Sequence, residues 1–299
     1  MRIAYTSDLH SDATPLNRAL LPYLARRLAA LSPDVVVIAG DVAETSAEVE
    51  MALRHFDGIG ALRLYVAGNH DLFAEGEPVT GCTSRDKFTQ HLPAAAARAG
   101  FIALGQSPVE HAGTAFVGVP GWYDFSLRDP NCDGAIGLEQ YRAGTWRGVR
   151  AFDRGHVFWP RETGASVPGG QPASLGGDWA LDEEIHAVMV AHLVAQLRAV
   201  PAARRIVGVV HVLPFAALAQ RGCFGDTAFH DAYLGSAALG DLLLADPRVV
   251  AVITGHLHRI ADLRLGAVRA VARPVGTLRA PGTDLEAIAA ERSGVLDLT

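Results

Sequence analysis

Val35-Val36-Val37-Ile38-Ala39-Gly40-Asp41 is an unbroken apolar run that ends in a glycine and a carboxylate. A short, continuous, β-branched run reads as a strand buried on both faces, as in parallel sheets covered by helices. The same pattern recurs elsewhere in the chain. Leu62–Ala67 precedes Gly68-Asn69-His70-Asp71, Ile206–Val210 precedes His211, and Val249–Thr254 precedes Gly255-His256-Leu257-His258. The shorter, more polar Arg2–Thr6 precedes Asp8-Leu9-His10. In open α/β sheets ligands bind just beyond the carboxyl ends of strands, so polar groups at five such ends can converge on one site.

Between these runs the chain reads as helix. Thr14-Pro15 is an N-cap followed by proline at the first helical position, and Leu16, Leu20, Tyr23, Leu24, Leu28 and Leu31 then share one face until Ser32-Pro33-Asp34. Further helices are predicted over 46–56 and 84–98, which gives βαβ units in a mainly parallel sheet up to about residue 105. Thr114–Val119 reads as another strand. From 121 to 177 the sequence is rich in Gly, Pro, Trp and Arg with no sustained period. Trp122, Trp146, Trp159 and Trp179 all fall within this stretch or at its edge, and a disordered linker would be poor in them. The expectation is a partly ordered insertion packed near the site, within one domain spanning 1–299. A helix over 178–198, another near 236–244 and a β-like tail from 261 to 299 complete the reading.

The bulk numbers narrow the classes. With 299 residues and 49% hydrophobic side chains, the chain can bury a large core. Its net charge of −6 provides no basic footprint for nucleic acid. No apolar run approaches the roughly 20 residues that span a bilayer. Cys82, Cys132 and Cys223 are too far apart for a disulfide framework, and Asp8 leaves no room for a signal peptide ahead of it, so a cytoplasmic location is expected. Lysine and arginine together number 26, of which only Lys87 is a lysine. That imbalance reads as a coding bias.

Aspartate, asparagine and histidine at strand ends are the ligand types that a pair of divalent cations requires. Such a pair sits about 3.5–4 Å apart and needs one carboxylate able to bridge both ions. Asp41 is the natural bridge, because the preceding Gly40 lets the backbone come close. Asp8 and His10, two apart on an extended segment, face the same side.

Asp-x-His, Gly-Asp, Gly-Asn-His-Asp, a lone His and Gly-His-x-His occur here in that order. In this the chain resembles the calcineurin-like metallophosphoesterases, and the likeness covers most of the sequence outside the insertion. The resemblance implies a two-sheet β-sandwich flanked by helices, an α/β fold with its metal site at the strand C-terminal ends. It implies two divalent metal ions (Mn, Fe, Zn or Ni, Mn favoured), one held by Asp8, His10, Asp41 and His258, the other by Asp41, Asn69, His211 and His256. His70 would be catalytic rather than a ligand, assisting the leaving group as a metal-bridging hydroxide attacks phosphorus, and Asp71 would orient His70. The segments after Asp41 and His70 lack the arginines of the superfamily's protein phosphatases. His211-Val212-Leu213-Pro214 looks more like the bacterial phosphodiesterase and phosphohydrolase branch, with a small phosphorylated substrate as partner. An arginine of the insertion could replace the missing ones. A nuclease of the same superfamily and a non-catalytic metal-binding scaffold are the alternatives.

Overall fold

In β1 (Arg2–Thr6) Ile3 and Tyr5 turn to one side and Ala4 to the other, and this period of two decides which layer each side chain enters. β2 (Val35–Ala39) divides in the same way. Val35, Val37 and Ala39 join Ile3 and Tyr5 in a layer shared with Phe116, Val207, Val209 and Ile253, while Val36 and Ile38 meet Leu20, Leu24 and Leu28. One core therefore lies between two sheets and the other between sheets and helices. The computed structural model describes residues 1–74, 76–77, 81–161, 178–219, 226–280 and 282–298; Cys223 and part of the expected insertion lie outside them.

In chain order, α1 (Pro15–Ala30) links β1 to β2 and α2 (Ser46–Leu53) links β2 to β3 (Leu62–Val66). The helical turns α3 (Ser84–Asp86) and α4 (Leu92–Arg98), joined through the π-helical Lys87–His91, lead to β4 (Ile102–Ala103). β5 (Val109–His111) and β6 (Thr114–Val119) form a hairpin; α5 (Leu138–Ala143) and the small hairpin β7 (Thr145–Trp146) and β8 (Val149–Arg150) punctuate the insertion. Then come α6 (Asp182–Ala199), β9 (Arg205–Val210), α7 (Asp226–His230), α8 (Ala237–Ala245) and β10 (Val249–Thr254). The remaining elements are β11 (Ala261–Leu265), β12 (Val268–Ala272), α9 (Leu285–Arg292) and β13 (Gly294–Asp297).

The strands form two principal sheets, ordered β13-β1-β2-β3-β4 and β11-β12-β10-β9-β6-β5. Pairing is parallel from β1 through β4 and from β12 through β6, and antiparallel at the edges, where β13, β11 and β5 attach. The expected two-sheet α/β architecture is thus the observed one. Two boundaries differ from expectation. The helix expected from 178 starts at Asp182, because Trp179 pairs with Pro160 in a lone antiparallel bridge. The tail is not all strand: Asp284 caps α9 by accepting from the N–H groups of Glu286 and Ala287, and Arg26 of α1 reaches Glu286 at 3.2 Å.

The single lysine has a structural role that composition alone does not show. Lys87 is fully buried; its Nζ donates to the carbonyls of Glu44 and Phe73, each at 2.6 Å, and pairs with the buried Glu77 carboxylate at 2.9 Å. Those carbonyls belong to the loops after Asp41 and after Asn69-His70. A compact ammonium with three rotatable donors fits three converging acceptors, whereas a planar guanidinium does not. At position 87 lysine is therefore a geometric requirement.

Candidate metal centre

The carboxyl ends of β1, β2 and β3 from one sheet and of β9 and β10 from the other meet at one edge of the sandwich, and backbone hydrogen bonds lace them together. Asp8 N–H donates to Gly40 O at 2.8 Å and His10 N–H to Asp41 O at 2.9 Å, while Gly255 N–H donates to His211 O at 2.9 Å. The packing leaves no room for side chains at the glycines: a Cβ on Gly40 would run into the His211 ring, and one on Gly68 into Asp41. Gly40 also has φ +88°, a region that costs glycine nothing. Asp8 (φ 54°), His10 (φ 42°), Asp41 (φ 52°) and His256 (φ 69°) have no such freedom, yet all are left-handed. Half of the eight non-glycine residues with positive φ among the described residues are therefore expected ligands. Each such conformation costs on the order of 1–3 kcal/mol and persists where the surroundings force it, typically at functional sites.

All seven expected ligands come together. His10 and His258 point their Nε2 atoms at one spot, 2.9 Å apart, with Asp8 Oδ1 3.5 Å from His258 Nε2 and Asp41 Oδ2 3.6 Å from His10 Nε2. On the other side of Asp41, its Oδ2 lies 3.3 Å from His211 Nε2, and Asn69 Oδ1 lies 3.1 Å from His211 Nε2 and 2.9 Å from His256 Nδ1. The remote ring nitrogens fix the tautomers. His211 Nδ1–H donates to Ala39 O at 2.8 Å and His256 Nε2–H to Tyr233 O at 3.0 Å, so the lone pairs of the opposite nitrogens face Asn69 and Asp41.

This donor set fits a pair of cations. Asp8 Oδ2 is buried with no hydrogen-bond partner, and lone pairs crowd together that repel one another unless protons or cations lie between them. Protonation equilibria show the same demand for positive charge. Burial alone would raise the Asp41 carboxyl, but His211, His70 and His10 hold it well below the usual carboxylate range. Burial likewise opposes charge on His211, yet Asp41 foremost, with Asp8 and the Ala39 carbonyl, pushes it up to about 10.

His70 stands at the margin of the cluster, its ring 4.8 Å from that of His10 and its backbone N–H on Asp41 Oδ1 at 2.9 Å. Burial works against its charge, but Asp41, Glu44 and Asp153 prevail and raise it to about 9. The expectation for Asp71 needs correcting. Its Oδ1 accepts from the N–H groups of Val42 (2.8 Å) and Ala43 (3.0 Å) and its Oδ2 from Gly68 N–H (2.7 Å). It thus clamps the loops after β2 and β3, and the carboxylate near His70 is instead Glu44, 3.8 Å from Nδ1.

The insertion supplies a residue that the sequence did not single out. Asp153 accepts from Asn69 Nδ2 at 2.9 Å and from the Tyr123 hydroxyl at 2.5 Å, which turns Asn69 Oδ1 toward the imidazoles. Trp122 is buried and acts as packing, with its Nε1 donating to Asp182 at 2.9 Å, while the buried Tyr123 packs and supports Asp153. Most of the insertion's arginines are engaged elsewhere. Arg128, Arg142, Arg154 and Arg161 are paired with Asp133, Glu183, Asp182 and Asp178, and Arg147 lies over Trp146.

Comparison with known proteins adds independent weight. A solved structure of phosphopantetheinyl hydrolase from Mycobacterium tuberculosis matches over 92% of this chain and 89% of that one, at 20% identity and TM-score 0.67. A dimetal phosphatase from Danio rerio matches over 91% of this chain and 86% of that one, at 12% identity and TM-score 0.50. At such identities the likeness is one of fold. No curated protein sequence matches the chain. The sequence profile of the calcineurin-like phosphoesterases matches residues 1–196, which take in Asp8, His10, Asp41, Asn69 and His70. The chain belongs to the calcineurin-like phosphoesterase family, and it is a metal-dependent phosphoesterase.

Proposed function

We propose that the chain hydrolyses a phosphomonoester or phosphodiester bond in a small molecule, using two divalent cations held at the strand ends. One observation carries this reading: Asp41 Oδ2 borders both clusters, 3.6 Å from His10 Nε2 and 3.3 Å from His211 Nε2. Asp8, His10, Asp41 and His258 would hold one cation, and Asp41, Asn69, His211 and His256 the other. When bound, such a pair lowers the pKa of water toward neutrality and offsets the charge of phosphoryl oxygens, and a mixed carboxylate, amide and imidazole set suits Mn²⁺, the favoured ion, as well as Fe, Zn or Ni.

The chain's own residues do the rest. His70, with its side chain about a quarter exposed and Glu44 behind it, holds a proton where the leaving oxygen would emerge. Asp71 keeps the loops bearing Asp41 and Asn69 in register. Asp153 fixes the amide of Asn69. Four ion-paired arginines in the insertion and the net charge of −6 favour a small substrate over nucleic acid.

Purified protein stripped with a chelator is expected to lose hydrolysis of p-nitrophenyl phosphate and bis-p-nitrophenyl phosphate, and to regain it on addition of Mn²⁺. Failure to bind metal, or no turnover of either ester after loading, would sink the reading. Asp153→Ala is expected to weaken binding of one of the two cations by about 10- to 100-fold, the usual effect of losing a partner that orients a ligand. Calorimetric titration with Mn²⁺ checks this, and two unchanged affinities would show that Asn69 needs no such support.

A further inference from the structure

Phe152 is 59% exposed, the most exposed large hydrophobic side chain among the described residues, and it stands beside His70. Its ring centre lies 5.6 Å from that of His70, 5.8 Å from Phe73 and 5.0 Å from His156. Phe73 in turn lies 4.5 Å from His70 and stacks on His156 at 4.7 Å. Four rings from two distant segments thus form a wall that begins at His70.

The wall is anchored. Ala74 N–H donates to His156 O at 2.9 Å, joining the two segments. The residues after Phe152 are tied down on both sides: Asp153 to Asn69 and Tyr123, Arg154 to Asp182 at 2.8 Å. Phe152 is therefore presented in a fixed position, and its exposure is not that of a slack loop tip. Glu44, 55% exposed and 3.8 Å from His70 Nδ1, stands at this margin and would repel a second phosphate.

We infer that Phe152 is a specificity-determining residue that receives an uncharged aromatic leaving group of the substrate. The inference rests on the phosphoesterase reading, in which His70 serves the leaving oxygen, so the group attached to that oxygen lies along the wall. Aromatic rings that meet tilted or offset at 4.5–7 Å gain more than their buried area alone provides. Phe152 offers a face of this kind at the position the leaving group must occupy.

The test compares two probes that differ only in the ring, phenylphosphonate and methylphosphonate, titrated into Mn²⁺-loaded protein. Wild type is expected to bind phenylphosphonate about five- to tenfold more tightly than methylphosphonate. Phe152→Ala should abolish that preference while leaving methylphosphonate affinity unchanged within about twofold, and Phe152→Trp should keep it. Equal affinity of wild type for the two probes, or a preference that survives in Phe152→Ala, overturns the inference. Turnover of p-nitrophenyl phosphate by the same samples is a separate readout. A Phe152-dependent preference without turnover would sink the hydrolase reading and leave the aromatic subsite standing.

Discussion

His70→Ala is expected to lower kcat by about 10²- to 10⁴-fold while the protein still binds two metal ions per chain, as measured by elemental analysis of the same samples. The magnitude is that of removing a positioned general acid. The retained metal follows from the geometry, since the seven proposed ligands converge without His70. Leaving-group chemistry sharpens the test. p-Nitrophenolate departs readily without a proton, so the loss should be smaller on p-nitrophenyl esters than on alkyl esters, whose alkoxides need one. Loss of one metal from the variant would reassign His70 as a ligand, an outcome its nearness to His10 and Asp41 makes worth checking. A kcat within about fivefold of wild type on alkyl esters would remove His70 from the chemistry altogether.

Lys87→Met is expected to destabilise the fold by about 3–5 kcal/mol, the usual cost of breaking a buried ion pair from one side. The variant keeps the length of the side chain and removes the charge, leaving the carbonyls of Glu44 and Phe73 without that donor and the Glu77 carboxylate held, among the described residues, by Ser46 alone. Lys87→Arg should also lose stability, because the guanidinium cannot present three converging donors in a site with no room to spare. The pH dependence follows from the sign of the Glu77 shift. Burial works against its charge, but Lys87 and Ser46 hold its pKa below the ordinary 4.5. The stability it contributes is therefore complete above that value and is lost as pH falls through the lower folded value. The gap between wild type and Lys87→Met, measured by urea unfolding, should be full at pH 7 and narrow below about pH 4.5. A gap of under 1 kcal/mol at neutral pH would mean that the pair contributes little.

The strands that carry the site were legible in the sequence because each is an apolar run that stops at a polar group, and the residues proposed as ligands stand at those stops. Asp41 could be proposed as the bridge from Gly40 beside it. Asp71 could not be placed, since its sequence neighbour His70 faces the cluster while its own carboxylate turns to the backbone of Val42, Ala43 and Gly68. Asp153 was out of reach for a related reason: it lies in an aperiodic stretch and meets Asn69 across 84 positions, a juxtaposition no local pattern encodes. Glu44 and Phe152 are ordinary surface types until the fold sets them beside His70. Lys87 did carry a signal, as the one lysine among so many arginines, but composition cannot distinguish an exclusion from a requirement. The α9 cap at Asp284 was legible in principle, since Leu285, Glu286, Ala287, Ala289, Ala290, Glu291 and Arg292 after it are good helix formers.

The burial of Lys87 also makes the chain an unusual target for amine-directed reagents. No lysine is presented to solvent, so acylating dyes, cross-linkers and enzymatic lysine modification find no side-chain amine on the folded protein. Reaction at Lys87 requires the loops that follow Asp41 and Asn69 to separate. Its rate of labelling would therefore time the opening of those loops, and a cation that ties them together would slow it.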